Sequence, residues 1–110
     1  MAASFYIKQN DTAPSIEAVL LDSSGRVRSM SDASAVRFHM KSEQGTVLVE
    51  DGAGSVVNAT KGIVSYEWQD GDTSNTGIHN AEFEIEYNNG QIETFPNTCY
   101  IRVIVKDEIA

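Results

Sequence analysis

Sulfur, proline and positive charge are all scarce in this sequence. Its one cysteine, Cys99, has no partner for an internal disulfide. The fold must therefore rest on packing alone, which fits synthesis in a reducing compartment. No window approaches 18 apolar residues, so nothing reads as a membrane-spanning helix. The first residues, Met1-Ala2-Ala3-Ser4-Phe5-Tyr6-Ile7-Lys8, carry neither a basic n-region nor a long apolar stretch, so no secretory signal is expected. Eight Lys and Arg stand against sixteen Asp and Glu, a net charge of −8. Nucleic acid and anionic membranes are polyanions that this average field repels, so neither is expected as a partner.

What remains is an ordinary globular composition, 41% hydrophobic and 22% charged over 110 residues. Area scaling gives a folded surface of roughly 6,000 Å² against roughly 17,000 Å² unfolded, enough burial for one core. The chain, 1–110, is expected to form one domain with its core between about residues 5 and 105. No internal repeat, linker or low-complexity tract interrupts it.

The hydrophobic period is two. Val36, Phe38 and Met40 alternate with Arg37, His39 and Lys41, and Phe83, Ile85 and Tyr87 alternate with Glu82, Glu84 and Glu86. Val64, Tyr66 and Trp68 form a third such row, and Ile101, Val103 and Val105 a fourth. Each row predicts a strand with one face inward. Weaker runs lie at 5–8, 16–21, 46–50 and 55–58, and residues 29–34 have room for one helical turn at most. Gly-containing turns separate the runs. The pattern predicts an all-β fold, an antiparallel β-sandwich of about seven to nine short strands, with a small closed barrel as the alternative.

Asn89-Gly90 is the sharpest turn signal, because a two-residue type I′ turn needs positive φ at both positions. Such a turn pairs Tyr87 with Ile92, Glu86 with Glu93 and Glu84 with Phe95. It opposes like charges and sets Phe95 on a polar face, just before the ladder-breaking Pro96. Phe95 is then either a partner contact or an aromatic covered by a loop.

Catalytic constellations are missing. His39 and His79 have no metal-ligand spacing to each other or to Cys99, and no nucleophile elbow or phosphate-cradling glycine loop is present. His39 reads as a surface residue and Cys99 as a small buried thiol. Asp70-Gly71-Asp72-Thr73-Ser74-Asn75 is oxygen-rich but lacks the spacing and closing Glu of a calcium loop. Asn10 and Asn58 begin glycosylation sequons that stay silent without export. No catalytic residue, cofactor or metal is expected.

Several stretches taken in order carry a resemblance. They are Ile7-Lys8-Gln9-Asn10-Asp11-Thr12 with Pro14, Ser34-Ala35-Val36-Arg37-Phe38-His39-Met40-Lys41, and Tyr66-Glu67-Trp68 leading to Gly71-Asp72-Thr73. Gly77, Ala81-Glu82-Phe83-Glu84-Ile85-Glu86-Tyr87, Asn89-Gly90 and Glu93-Thr94-Phe95-Pro96-Asn97 follow. The set resembles the N-terminal domain of the phage baseplate upper protein family, from about Phe5 to Val105. The resemblance implies an immunoglobulin-like sandwich and a structural role: anchoring in the tail tip or baseplate of a virion. Two departures accompany it. The sequence stops near the end of the anchoring domain, and His79 stands where family members often have a tyrosine, two residues after the glycine that Gly77 matches.

The expected function is therefore a non-enzymatic component of a tailed-phage virion, made in the bacterial cytoplasm. Its partners would be other virion proteins of tail, baseplate or neck, or further copies of itself. Open sandwiches have edge strands that can pair with a neighbour's backbone. Phe5, Tyr6 and Phe95 are the candidate contacts, the alternative for Phe5 and Tyr6 being that one of them plugs the core. A carbohydrate- or receptor-binding module built on Trp68 and residues 70–75 is the other reading, and a head or neck decoration protein a third placement. Trp68 lies in phase with inward-facing Val64 and Tyr66, which counts against the glycan site.

Overall fold

The structure, a computed structural model, describes residues 4–109. Alternation decides the architecture. The two longest strands, β3 (Ala33–Ser42) and β7 (Gly77–Tyr87), pair antiparallel from Ala33 opposite Tyr87 to Ser42 opposite His79. Directly opposed residues share a face, so Phe38 meets Phe83 and Val36 meets Ile85 on the apolar side. On the other side Arg37 meets Glu84 and His39 meets Glu82.

The remaining strands extend this pair. β4 (Val47–Ala53) flanks β3. On the far side of β7, β9 (Ile101–Lys106) pairs with its first half and β8 (Ile92–Phe95) with its second. β1 (Ser4–Lys8) lies outside β9, giving the order β1-β9-β7-β3-β4 with β8 beside β7. A second sheet holds β2 (Ile16–Val19), β6 (Ile63–Tyr66) and β5 (Ser55–Asn58) in the order β2-β6-β5. Both sheets are open, so the fold is a β-sandwich, and no helix occurs among the described residues. All pairings are antiparallel except β1 with β9, which run parallel. Parallel neighbours need a long crossover. Here the whole fold between the first strand and the last supplies it.

The core lies between the sheets, where Phe38 organises an aromatic cluster. Its ring stacks on Tyr66 at 4.6 Å, meets Trp68 edge-on at 5.5 Å and tilts against Phe83 at 5.1 Å. Trp68 is 3% exposed, so the inward phase of Val64, Tyr66 and Trp68 holds. Burying each such ring removes its large apolar face from water, and edge-on pairs add about 0.5–1.5 kcal/mol beyond area. His79 is also buried, and its Nε2 lies 2.8 Å from the Asn75 carbonyl. Since a carbonyl only accepts, Nε2 carries the proton there. The histidine thus bonds back to the backbone at the corner leading into β7.

The turn at Asn89-Gly90 differs from expectation. The Tyr87 N–H donates to the Gln91 carbonyl at 2.8 Å, and the Gly90 N–H donates to the Tyr87 carbonyl at 2.8 Å. This encloses three residues, not two, and Gly90 takes the left-handed conformation with φ 87°. Such a turn is a type I turn closed by a bulge residue that glycine fits best. The extra residue shifts the ladder by one: Phe83 faces Phe95, Ile85 faces Glu93 and Glu86 faces Ile92. A one-residue shift exchanges the two faces of a strand. Phe95 is consequently in the core, 1% exposed, while Ile92 is 57% exposed on the outside. The predicted opposition of Glu86 and Glu93 does not occur.

Candidate docking edges and surface clusters

A sandwich offers partners its unpaired edges and its outer faces. The edges differ in how well they are blocked. β4 carries bulges in its pairing with β3 and a left-handed Asp51, φ 53°. β5 is bulged between Val56 and Asn58, β8 contains Glu93 and runs into Pro96, and β2 contains Glu17. Bulges, charges and proline all discourage strand addition. β1, with sequence Ser4-Phe5-Tyr6-Ile7-Lys8, has five continuous pairs to β9, no bulge and no carboxylate. Its single charge, Lys8, stands at its last position, so β1 is the least blocked free edge among the described strands.

The expected contact residues separate here. Tyr6 is 63% exposed and points outward from β1. Phe5 is half-buried, its ring 6.0 Å from that of Trp68, so it closes the core beneath the edge. Phe95 is not a surface aromatic: the three-residue turn carries it inside, which corrects its place among the contacts. Beside β1, an open groove of about 510 Å³ separates β2 from the chain between β8 and β9. Phe5, Ile16, Ala18, Leu20 and Ile101 line it together with half-buried Cys99.

The outer face of the larger sheet carries a charge network. An Arg37 guanidinium nitrogen lies 2.6 Å from a Glu86 oxygen, and His39 Nε2 lies 2.8 Å from Glu84 and 3.6 Å from Asp51. The bond to Glu86 raises Arg37 further above its ordinary range. His39, Asp51 and Glu84 hold ligand atoms within 4.8 Å of one another, a spacing suited to a metal ion. Their hydrogen bonds describe a different state. The Asp51 N–H donates to His39 Nδ1 at 3.2 Å, so neutral His39 keeps its proton on Nε2, where it donates to Glu84. A metal at Nε2 requires that proton to be gone and Nδ1 to become a donor facing another donor. The cluster is thus already satisfied by its own hydrogen bonds. The sequence placed His39 and Glu84 outward but gave no sign of Asp51, which the bulge in β4 brings to them.

Two buried tyrosines anchor polar ends of the core. The Tyr87 hydroxyl donates to Glu93 Oε1 at 2.8 Å, and Arg28 Nε reaches the same oxygen at 3.1 Å. Burial is the main cause that raises the Tyr87 hydroxyl above its ordinary value. The register shift explains why a carboxylate sits here: it turned Glu93 toward the Arg28 side. Tyr66 donates to Asp72, and burial followed by that bond pushes its hydroxyl far up. Asp72 also accepts from the Gln69 N–H at 2.9 Å, and Thr73 is buried with its hydroxyl donating to the Asp11 carbonyl at 2.8 Å. The oxygen-rich stretch 70–75 is therefore a capped turn. With Trp68 inside, the proposed glycan platform has no exposed indole.

A family model described as the BppU N-terminal domain matches residues 4–101. Curated protein sequences yield no match. Among solved structures, CopC from Methylosinus trichosporium OB3b is similar in fold, with a TM-score of 0.57 at 9% identity. The likeness covers 99% of this chain and 89% of that one, and at such identity it concerns the fold alone.

Proposed function

The chain belongs to the family of BppU N-terminal domains, those of the phage baseplate upper protein, and on that premise we propose that it is a docking or adaptor domain of the tail tip or baseplate. The single observation that carries this is the family match over residues 4–101, nearly the whole described chain. Baseplate membership makes it a structural protein of the virion. The finer role rests on the edges. β1 presents unpaired backbone N–H and C=O groups that a neighbouring strand would extend. Tyr6 would supply the exposed aromatic contact, and Phe5 would hold the strand against Trp68 from below.

The role is non-enzymatic in this reading. The side chains that could do acid–base work are engaged with one another, as in Arg37 with Glu86 and His39 with Glu84. Synthesis takes place in the host cytoplasm, where a fold without disulfides assembles by packing.

Purified virions test this reading. Electron microscopy with a labelled antibody, together with mass spectrometry of the particles, should find the protein at the tail tip in fixed copy number. Particles that lack it while it persists free in the lysate would overturn the proposal.

A further inference from the structure

The outer face of the larger sheet is electrically divided along its strands. At the β9 end, three cross-strand rows can be read from the register. Ser4, Arg102, Asn80 and Lys41 form one row, Tyr6, Ile104 and Ile78 the next, and Lys8 with Lys106 the last. These rows hold four cations and no carboxylate, around an apolar strip in which Tyr6 and Ile78 are exposed. Carboxylates border these rows only at the rim: Asp11 and Glu43 beside Lys8 and Lys41, and Asp107 and Glu108 just past Lys106, where Glu108 accepts from the Asn10 amide at 3.0 Å. Toward the other end of β7 the sign reverses. Asp51, Glu82, Glu84 and Glu86 stand against Arg37 and His39, four carboxylates to one guanidinium and one imidazole.

The geometry points to a second copy of this chain as the occupant of that face, related by a two-fold axis running across the strands. That rotation reverses the strand direction. It lays the basic apolar end of one copy on the acidic end of the other, twice over. A face divided in this way is self-complementary, as a two-fold interface requires. The area suffices. Five strands about 4.8 Å apart and the eleven residues of β7 at about 3.4 Å each define a face of at most about 900 Å². A standard interface uses about that much per partner. Aligned sheets stack about 10 Å apart, which lets Tyr6 and Ile78 fill the space between them. The inference stands apart from the virion role, since it concerns how two copies meet in solution.

Sedimentation and native mass spectrometry of the purified chain from about 1 to 100 µM test it, a range that weak standard-size interfaces span. The wild type should form a dimer whose affinity falls at least tenfold in 1 M salt, where the screening length is about 3 Å. Two variants invert one end each: Lys8→Glu with Arg102→Glu and Lys106→Glu, and Asp51→Lys with Glu82→Lys. Each alone should be monomeric, with Trp68 emission unchanged to show that the fold is kept. Mixed, they should give a one-to-one heterodimer, because both contacts become complementary again. A monomeric wild type over the whole range overturns the inference. So does a dimer indifferent to both inversions, or a mixture that grows into longer alternating oligomers, the mark of head-to-tail contact.

Discussion

Replacing Phe95 and Ile92 by alanine, one at a time, tests the most consequential feature of the fold, the register of the last hairpin. In the observed register Phe95 is 1% exposed opposite Phe83, and Ile92 is 57% exposed opposite Glu86. Truncating a fully buried phenylalanine removes its transfer free energy and leaves a cavity, at a cost of about 3–5 kcal/mol. Truncating a half-exposed isoleucine away from any network costs less than about 0.5 kcal/mol. A domain of this size loses about 4 °C of melting temperature per kcal/mol, so Phe95→Ala should lower it by roughly 12–20 °C and Ile92→Ala by no more than about 2 °C.

A two-residue turn predicts the reverse ordering. Ile92 would then oppose Tyr87 in the core, and Phe95 would stand outside among the glutamates. Urea unfolding followed through Trp68 fluorescence measures both changes on one scale. Phe95→Leu keeps the comparison usable if the alanine variant fails to fold, with an expected loss of about 1.5 kcal/mol or less. An Ile92→Ala loss equal to or larger than that of Phe95→Ala refutes the register and everything built on it, including the placement of Glu93 beside Arg28.

The other expectations concern pH and backbone. Tyr66 and Tyr87 have hydroxyl pKa values raised in the folded state, chiefly by burial. Their contribution to stability is complete below the ordinary tyrosine value near 10 and is lost as pH rises from there toward the folded values. Alkaline titration should therefore show these two ionising only together with unfolding, and Tyr66→Phe should flatten the loss above pH 10; titration of both before any change in circular dichroism would contradict this. Gly62 adopts φ 64°, and a Cβ there would lie 2.5 Å from the Arg28 carbonyl. Gly62→Ala should cost more than about 1 kcal/mol by urea unfolding, and a neutral result would show that this corner is looser than described.

The inward faces of β3, β6, β7 and β9 are legible in the sequence, because a period of two names a face directly. Phe38, Phe83, Tyr66 and Val103 are buried where alternation puts them. The hairpin was not legible from its turn. Asn-Gly satisfies a two-residue turn and equally supplies the left-handed glycine that closes a three-residue one. The penalties of the two-residue register carried the missing signal. It opposed Glu86 to Glu93 and exposed Phe95, and one added residue removes both faults together. A sequence whose local choices agree only in one register favours that register. The His39, Asp51 and Glu84 cluster had no such signal, because a bulge in β4 breaks the alternation at Asp51.

Docking surfaces are the least legible part for a related reason. Alternation says which side of a strand faces the core, but nothing about which strand lies beside it. Residues 5–8 read as a weak strand, yet their importance comes from lying outside β9 with one edge unpaired. That position depends on a parallel pairing between the two ends of the described chain, and no local pattern encodes it. The divided outer face follows the same logic. Lys8, Arg102 and Lys41 are isolated charges along the chain, and only the order β1-β9-β7-β3 gathers them at one end. Surface charge on a sheet is therefore a property of topology before it is a property of composition. A net charge of −8 describes what this protein repels on average, while the strand order determines where a partner can approach it.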